Sequence, residues 1–252
     1  PVMIDPSVTH NADSDFTGQF NRVVDADATS STQLEIGYQE HGLDPYTVLL
    51  IHGNEATGST VITDTASSTR VITANGNAST TSAVTQLGLN NSLAFDGTGD
   101  YLSVPDSDDW NFGSGDFTID MWIYATSFVD YESIFGQALS DGITPILAQV
   151  WADGHLHIYA STDGSSWDSI SNADAGALTL NSWNHIAIVR DGNSIYGFID
   201  GVKGSTSDVT GDTLYNSTNA FHIGDKGPSS AQDYYGYIDE IRITKGRALT
   251  TE

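Results

Sequence analysis

The stretch Phe117-Thr-Ile-Asp-Met-Trp-Ile-Tyr124 decides the architecture. Phe117, Ile119, Met121 and Ile123 share one side, and Thr118, Asp120, Trp122 and Tyr124 share the other. A period of two belongs to a β-strand, whose successive side chains point to opposite faces. The first set predicts a core face. The second mixes a carboxylate with two large aromatics, which is unusual for a solvated surface. Working outward, short runs rich in Val, Ile, Phe, Tyr and Trp recur at 46–52, 92–95, 101–104, 132–137, 146–151, 155–161, 183–190, 194–199, 220–223 and 234–244. Gly, Asp and Asn separate them, and Asp191-Gly192 and Asp200-Gly201 are hairpin signals. No segment keeps a helical period over three turns. The pattern predicts an all-β antiparallel sandwich over residues 46–252. Residues 63–92 are rich in Ser, Thr and Asn, with one strand-like piece at 71–73, and predict outer strands and long loops. Residues 1–45 hold few large aliphatic side chains, and only 20–24 and 34–38 could form strands. They read as an N-terminal arm, with no basic-plus-apolar leader pattern.

The chain has 252 residues, of which 38% are hydrophobic, enough for a sizeable core. Against 33 acidic residues stand 8 Lys plus Arg, a formal charge of −25. A field of that sign repels phosphate backbones and excludes nucleic acid as a partner. No apolar run approaches the length of a spanning helix, so no membrane insertion is expected. The chain contains no cysteine, which excludes disulfides, thiolate zinc sites and cysteine nucleophiles. The acidic excess is mostly Asp, which suits both solubility and hard-cation sites.

His155, His157 and Tyr159 oppose Leu156 and Ile158, as Asp120, Trp122 and Tyr124 oppose their core set. Aromatic rings stack on sugar CH faces, and carboxylates accept hydroxyl protons. Asp120, Trp122, Tyr124, His155, His157 and Tyr159 are therefore the candidate ligand-binding residues. A face covered by a loop or another chain would show the same pattern. His155-x-His157 could also begin a zinc site with His185, but paired histidines at this spacing are more often packing. In Ser161-Thr-Asp-Gly-Ser-Ser-Trp167, Asp163 would bond turn amides while Trp167 packs beneath. No Gly-x-Ser-x-Gly and no His-Glu-x-x-His occurs.

The run Leu93-Ala-Phe-Asp-Gly-Thr-Gly-Asp-Tyr-Leu-Ser-Val-Pro105 resembles the opening strands of laminin G-like domains in the concanavalin A-like lectin/glucanase superfamily. So does Gly115-Asp-Phe-Thr-Ile-Asp-Met-Trp-Ile123. Ser182-Trp-Asn-His-Ile-Ala-Ile-Val-Arg-Asp-Gly192 with Tyr196-Gly-Phe-Ile-Asp-Gly201 is similar to the central hairpin, and Tyr237-Ile-Asp-Glu-Ile-Arg-Ile-Thr-Lys-Gly246 to the closing strand. The resemblance implies a jelly-roll, concanavalin A-like sandwich. Val48-Leu-Leu-Ile-His-Gly53 and Ile243-Thr-Lys-Gly246 are similar to the variety common in tailed-bacteriophage structural proteins. That variety implies a virion surface component: a capsid decoration, head fibre or tail-associated protein. The arm would dock on other virion proteins, the sandwich would face host glycans, and the assembly would be a homo-oligomer. The alternative is a carbohydrate-binding module of a secreted or cell-surface bacterial protein, hence extracellular. A retaining glucanase of the superfamily would show Glu-x-Asp-x-x-Glu, and this chain has no Glu-x-Asp at all, so a non-enzymatic role is expected.

Asp239 shares parity with Ile241 and Ile243, which predicts a carboxylate aimed at the apolar interior. A buried carboxylate without partners is costly. The resemblance implies a structural calcium there, with Asp96 and Gly97 as neighbours and Arg242 on the opposite face. The family also implies a rim calcium, for which Asp106, Asp108 and Asp109 are candidates, though the match there is loop composition only and a solvated acidic loop explains it better. Asn11-x-Asp13-x-Asp15 lacks the Gly and closing Glu of an EF-hand.

Overall fold

The computed structural model describes residues 44–66, 69–86, 91–129, 131–138, 142–227 and 232–249. The predicted arm at 1–45, including its strand-like pieces 20–24 and 34–38, falls outside them except for Asp44 and Pro45. In chain order the strands are β1 (Thr47–Ile51), β2 (Thr73–Asn75), β3 (Ser79–Thr81), β4 (Ser92–Asp96), β5 (Tyr101–Val104), β6 (Phe117–Ala125), β7 (Glu132–Gly136), β8 (Ile146–Val150), β9 (His155–Ala160), β10 (Ile170–Ala177), β11 (Trp183–Asp191), β12 (Ser194–Ile199), β13 (Val202–Asp208), β14 (Phe221–Ile223) and β15 (Tyr235–Lys245). Among the described residues one three-residue 3-10 helix, Asp108–Trp110, interrupts them. No helix among the described residues is long and apolar enough to cross a membrane.

All pairings between these strands are antiparallel, and they build two sheets. The first runs β13-β12-β11-β6-β15-β4-β3, with β1 also on β15. The second runs β10-β9-β8-β7-β14-β5-β2. The all-β sandwich expected from the alternation is present. The Ile119 and Met121 row of β6 belongs to one buried cluster with Ile186 and Ile188 of β11 and Leu156 and Ile158 of β9. Each such aliphatic side chain contributes about 1.5–3 kcal/mol on burial. Trp110 is fully buried and donates its indole N–H to the Pro105 carbonyl at 2.9 Å. Arg190 is buried as well, its guanidinium held by the carbonyls of Gly113 (2.9 Å) and Asp212 (2.8 Å).

Two strands escaped the sequence pattern, β10 and β13, and both are edge strands, whereas β3 falls in the 63–92 segment expected to hold outer strands. β13 is solvent-facing along nearly its whole length, so it carries no apolar alternation to read. These two edges approach closely, for a Cβ on Gly204 would come 2.5 Å from the Ala175 carbonyl oxygen. Only glycine fits there.

β15 corrects one expectation. Asp239 stands opposite Trp122 and Arg242 opposite Asp120, so three steps on β15 match two on β6. The extra residue makes a β-bulge, and Glu240 takes the left-handed conformation there (φ 50°). Alternation is reset across the bulge. Asp239 therefore joins the row of Trp122, not the core row of Ile241 and Ile243. It is nevertheless 0% exposed. The chain leaving β1 lies against it: a Cβ on Gly53 would sit 3.3 Å from Asp239 Oδ1.

Candidate functional site

The structure separates the six predicted ligand-binding residues. Asp120, Trp122 and Tyr124 lie on the outer side of the first sheet, whereas His155, His157 and Tyr159 lie on the outer side of the second. The two sets occupy opposite faces of the sandwich and cannot form one site.

On the first sheet Asp120 is 6% exposed and bonded through both oxygens to Arg242, at 2.9 and 3.1 Å. His185 Nε2 stands 3.6 Å from the same carboxylate, and its ring packs on Trp122 at 5.2 Å. Tyr124 meets Trp183 and Tyr237 edge to face at 5.7 and 5.8 Å. Asp120 is thus a structural counter-ion, and His185 joins that cluster rather than the pair on β9.

On the second sheet Trp151, just past β8, is the centre of an aromatic row. Its ring lies 4.4 Å from His157, 5.1 Å from Tyr131 and 6.5 Å from Tyr159. Trp167 extends the row, 5.2 Å from Tyr159. Tyr131 is 43% exposed, Trp151 and Trp167 are half-buried, and Tyr159 is nearly covered. Burial pushes the Tyr159 phenol up to about 12, so it remains a hydroxyl donor. His155 Nδ1 contacts both oxygens of Asp174, at 3.0 and 3.1 Å. That bond raises the imidazole pKa. Burial would raise Asp174 too, but bonds from His155 and the Gly176 amide outweigh it and hold the acid below the usual range. The His155 amide does the same for Asp153, which stands 3.7 Å from His157 Nε2. Neither ring nitrogen of His157 has a hydrogen-bond partner, nor has the indole N–H of Trp151. In the hairpin below, Asp163 accepts from the amides of Ser165 (2.7 Å) and Ser166 (2.9 Å), as its turn sequence predicts. The Ser165 amide bond contributes most to lowering its pKa. Sequence reasoning missed Trp151, Tyr131 and Asp153, which come from a strand end and turns, and Asp174, which lies mid-β10 opposite His157 on a strand without readable apolar alternation.

Gln149 links this row to a cleft of about 170 Å³ by donating to Gln232 at 3.1 Å. Asp96, Gly97, Glu132 and Asp233 line that cleft. Glu132 is 1% exposed and neither of its oxygens completes a hydrogen bond. Burial raises its pKa to about 7, tempered by the nearby Tyr235 and Val129 amides. Burial also raises Asp233, as do the charges of Asp225, Asp100 and Asp96. Asp96 pairs with Tyr235 in register, four residues from Asp239 on β15 and so about 13 Å away. The structure does not bring Asp96 and Gly97 to Asp239.

Asp239 has different neighbours. Its Oδ1 accepts from the Glu240 amide at 3.0 Å, and Glu240 Oε2 meets His52 Nδ1 at 2.8 Å. Asp239 Oδ2, Glu240 Oε1, Asn54 Oδ1 and Glu55 Oε2 are all buried without a donor. Burial, then the Glu240 charge, raises Asp239 to about 8. No three His, Cys, Asp or Glu side chains converge on a metal position among the described residues. At the rim, Asp109 pairs with Arg70 and Asp106 accepts from Gln137 at 3.2 Å. These two acids are occupied by protein donors.

A family model described as the concanavalin A-like lectin/glucanases superfamily matches residues 96–252. The chain belongs to that superfamily. Among solved structures it is similar to the binding domain of Paraclostridial mosquitocidal protein 1, with TM-score 0.63 and 15% identity over 81% of this chain and 50% of that one. It is similar to Domain 4 of AbnA, an extracellular arabinanase from Geobacillus stearothermophilus, in complex with arabinotriose (TM-score 0.56, 16% identity, 81% and 94% covered). It is also similar to the binding domain of botulinum neurotoxin DC in complex with SialylT (TM-score 0.58, 12% identity, 81% and 48% covered). The chain spans about half the length of the two toxin domains. At these identities the likeness shows the superfamily fold alone. None of the curated proteins matches.

Proposed function

We propose that this domain is a non-enzymatic carbohydrate-binding module whose sugar site is the row Tyr131, Trp151, Tyr159 and Trp167. The carrying observation is Trp151, a half-buried indole with aromatic neighbours on two sides and Asp153, Asp174 and His155 alongside. Rings of this kind stack on sugar CH faces, and the flanking groups can orient hydroxyls. The AbnA domain, solved with arabinotriose, supports a sugar ligand on this fold. A binding role is further supported by the acids beside the row, which are engaged by imidazoles and turn amides rather than set as an acid–nucleophile pair. The resemblance of 48–53 and 243–246 to phage structural domains favours display on a virion surface, with a host glycan as ligand.

A structural calcium at Asp239 belongs to the same reading. The donor-less Oδ2 of Asp239 is the oxygen that would meet a hard cation, whose remaining ligands would be backbone carbonyls, since no three acidic or imidazole side chains converge there among the described residues. Asp239 would hold it, fixing the 52–55 segment against β15.

Titration of arabinotriose and a panel of immobilised oligosaccharides against wild type, Trp151→Ala and Trp122→Ala tests the site. Trp151→Ala should weaken binding roughly tenfold or more, and Trp122→Ala should leave it within about twofold. Loss of binding in Trp122→Ala with retention in Trp151→Ala would move the site to the other sheet. Absence of any sugar ligand would overturn the reading.

A further inference from the structure

We propose that the Trp151 row takes uncharged oligosaccharides and rejects those bearing sialic or uronic acids. This inference rests on the carbohydrate-binding reading above and adds the ligand class.

The acids around the row are uncompensated by fixed cations. Asp153 and Asp174 flank Trp151 and His157, and their only charged partners are histidines. Asp163 and Asp168 stand in the hairpin that carries Trp167. A glycan carboxylate laid along the rings would face at least two of these acids, and because their side chains are about half exposed the repulsion is of the salt-screened kind.

The Lys and Arg side chains among the described residues are committed elsewhere. Arg242 pairs with Asp120 on the other sheet, Arg247 with Asp44 and Arg70 with Asp109. Arg190 is buried among carbonyls, Lys245 donates to the Asp108 carbonyl, and Lys203 lies over the Tyr196 ring. Lys226 packs against Gly136 and Gly142, and burial lowers its pKa. Among the described residues, no Lys or Arg forms an ion pair or cation–π contact with any ring or acid of the row. Of the two bases beside the row, His155 already has its Nδ1 on Asp174, and His157 Nε2 stands 3.7 Å from Asp153. The formal charge of −25 adds a background field of the same sign.

The experiment uses the full chain on an array of matched glycans, each neutral core printed beside its sialylated and uronylated forms, at about 50 mM and 300 mM salt. Neutral cores should bind at least tenfold more tightly than their charged forms at low salt, and the gap should narrow at high salt. The Asp153→Asn/Asp174→Asn double variant should shrink that gap several-fold, whereas Trp151→Ala should weaken neutral and charged forms alike. Charged glycans binding as well as their neutral cores, in a Trp151-dependent way, would overturn the ligand class while leaving the carbohydrate site standing. A gap insensitive to both salt and the double variant would overturn the electrostatic basis. No binding to any glycan would overturn the carbohydrate site itself, and the ligand class with it.

Discussion

The outer faces of the two sheets carry the same kinds of residue and use them oppositely. On the first, an acid, a histidine and aromatics close on one another. Asp120 is saturated by Arg242, and Tyr124 is wedged edge to face between Trp183 and Tyr237. On the second, the only charged partners of the acids are histidines, and Tyr131 and Trp151 remain partly open. On the proposed reading, an aromatic, acidic face serves as a ligand surface through what it leaves unpaired. Residue type alone does not distinguish the two.

The largest expected effect tests that contrast directly. Asp120→Ala strands the Arg242 guanidinium and should cost about 2–3 kcal/mol, the cation being partly solvated. For a domain of this size that lowers the melting temperature by roughly 5–10 °C. Asp174→Ala removes a half-exposed imidazole pair and one acceptor of the Gly176 amide, and should cost under about 1 kcal/mol. Equal losses in calorimetry would erase the distinction between the faces.

Asp239 is the exception on the first face, an acid in the Trp122 row without a cation. If calcium completes it, a hundredfold excess over the dissociation constant stabilises the fold by about 2.7 kcal/mol. Melting should then rise several degrees over the chelated protein, magnesium should substitute poorly, and Asp239→Asn should abolish the difference. Identical wild-type melting in calcium and in chelator, with no metal by elemental analysis, would leave Asp239 as a neutral buried acid.

Glu132 gives an effect confined to one side of the pH range. Its folded-state pKa of about 7 lies above the unfolded value of 4.5, so the native state holds the proton more tightly. Stability from this group is full below about 4.5 and is lost as pH rises through 7. Glu132→Gln should therefore melt a few degrees above wild type at pH 8 and match it near pH 4. A variant with the same deficit at both values would show that Glu132 acts through its shape.

Local periodicity carried most of this fold. The alternation in Phe117–Tyr124 fixed strand type and core face because side-chain direction in a strand depends on nothing beyond neighbouring residues. The same rule located ten further runs and hid β13, whose two solvated faces leave no contrast. Tertiary structure alone decided three matters. It assigned the Trp122 and His157 rows to different sheets, since pairing partners lie far apart in sequence. It inserted the bulge at Glu240, a backbone choice that moves Asp239 out of the Ile241 row and that no period of two can reveal. It also gathered Tyr131, Trp151 and Trp167 around β9 from three separate strand ends and turns, where only long-range packing specifies which side chains meet.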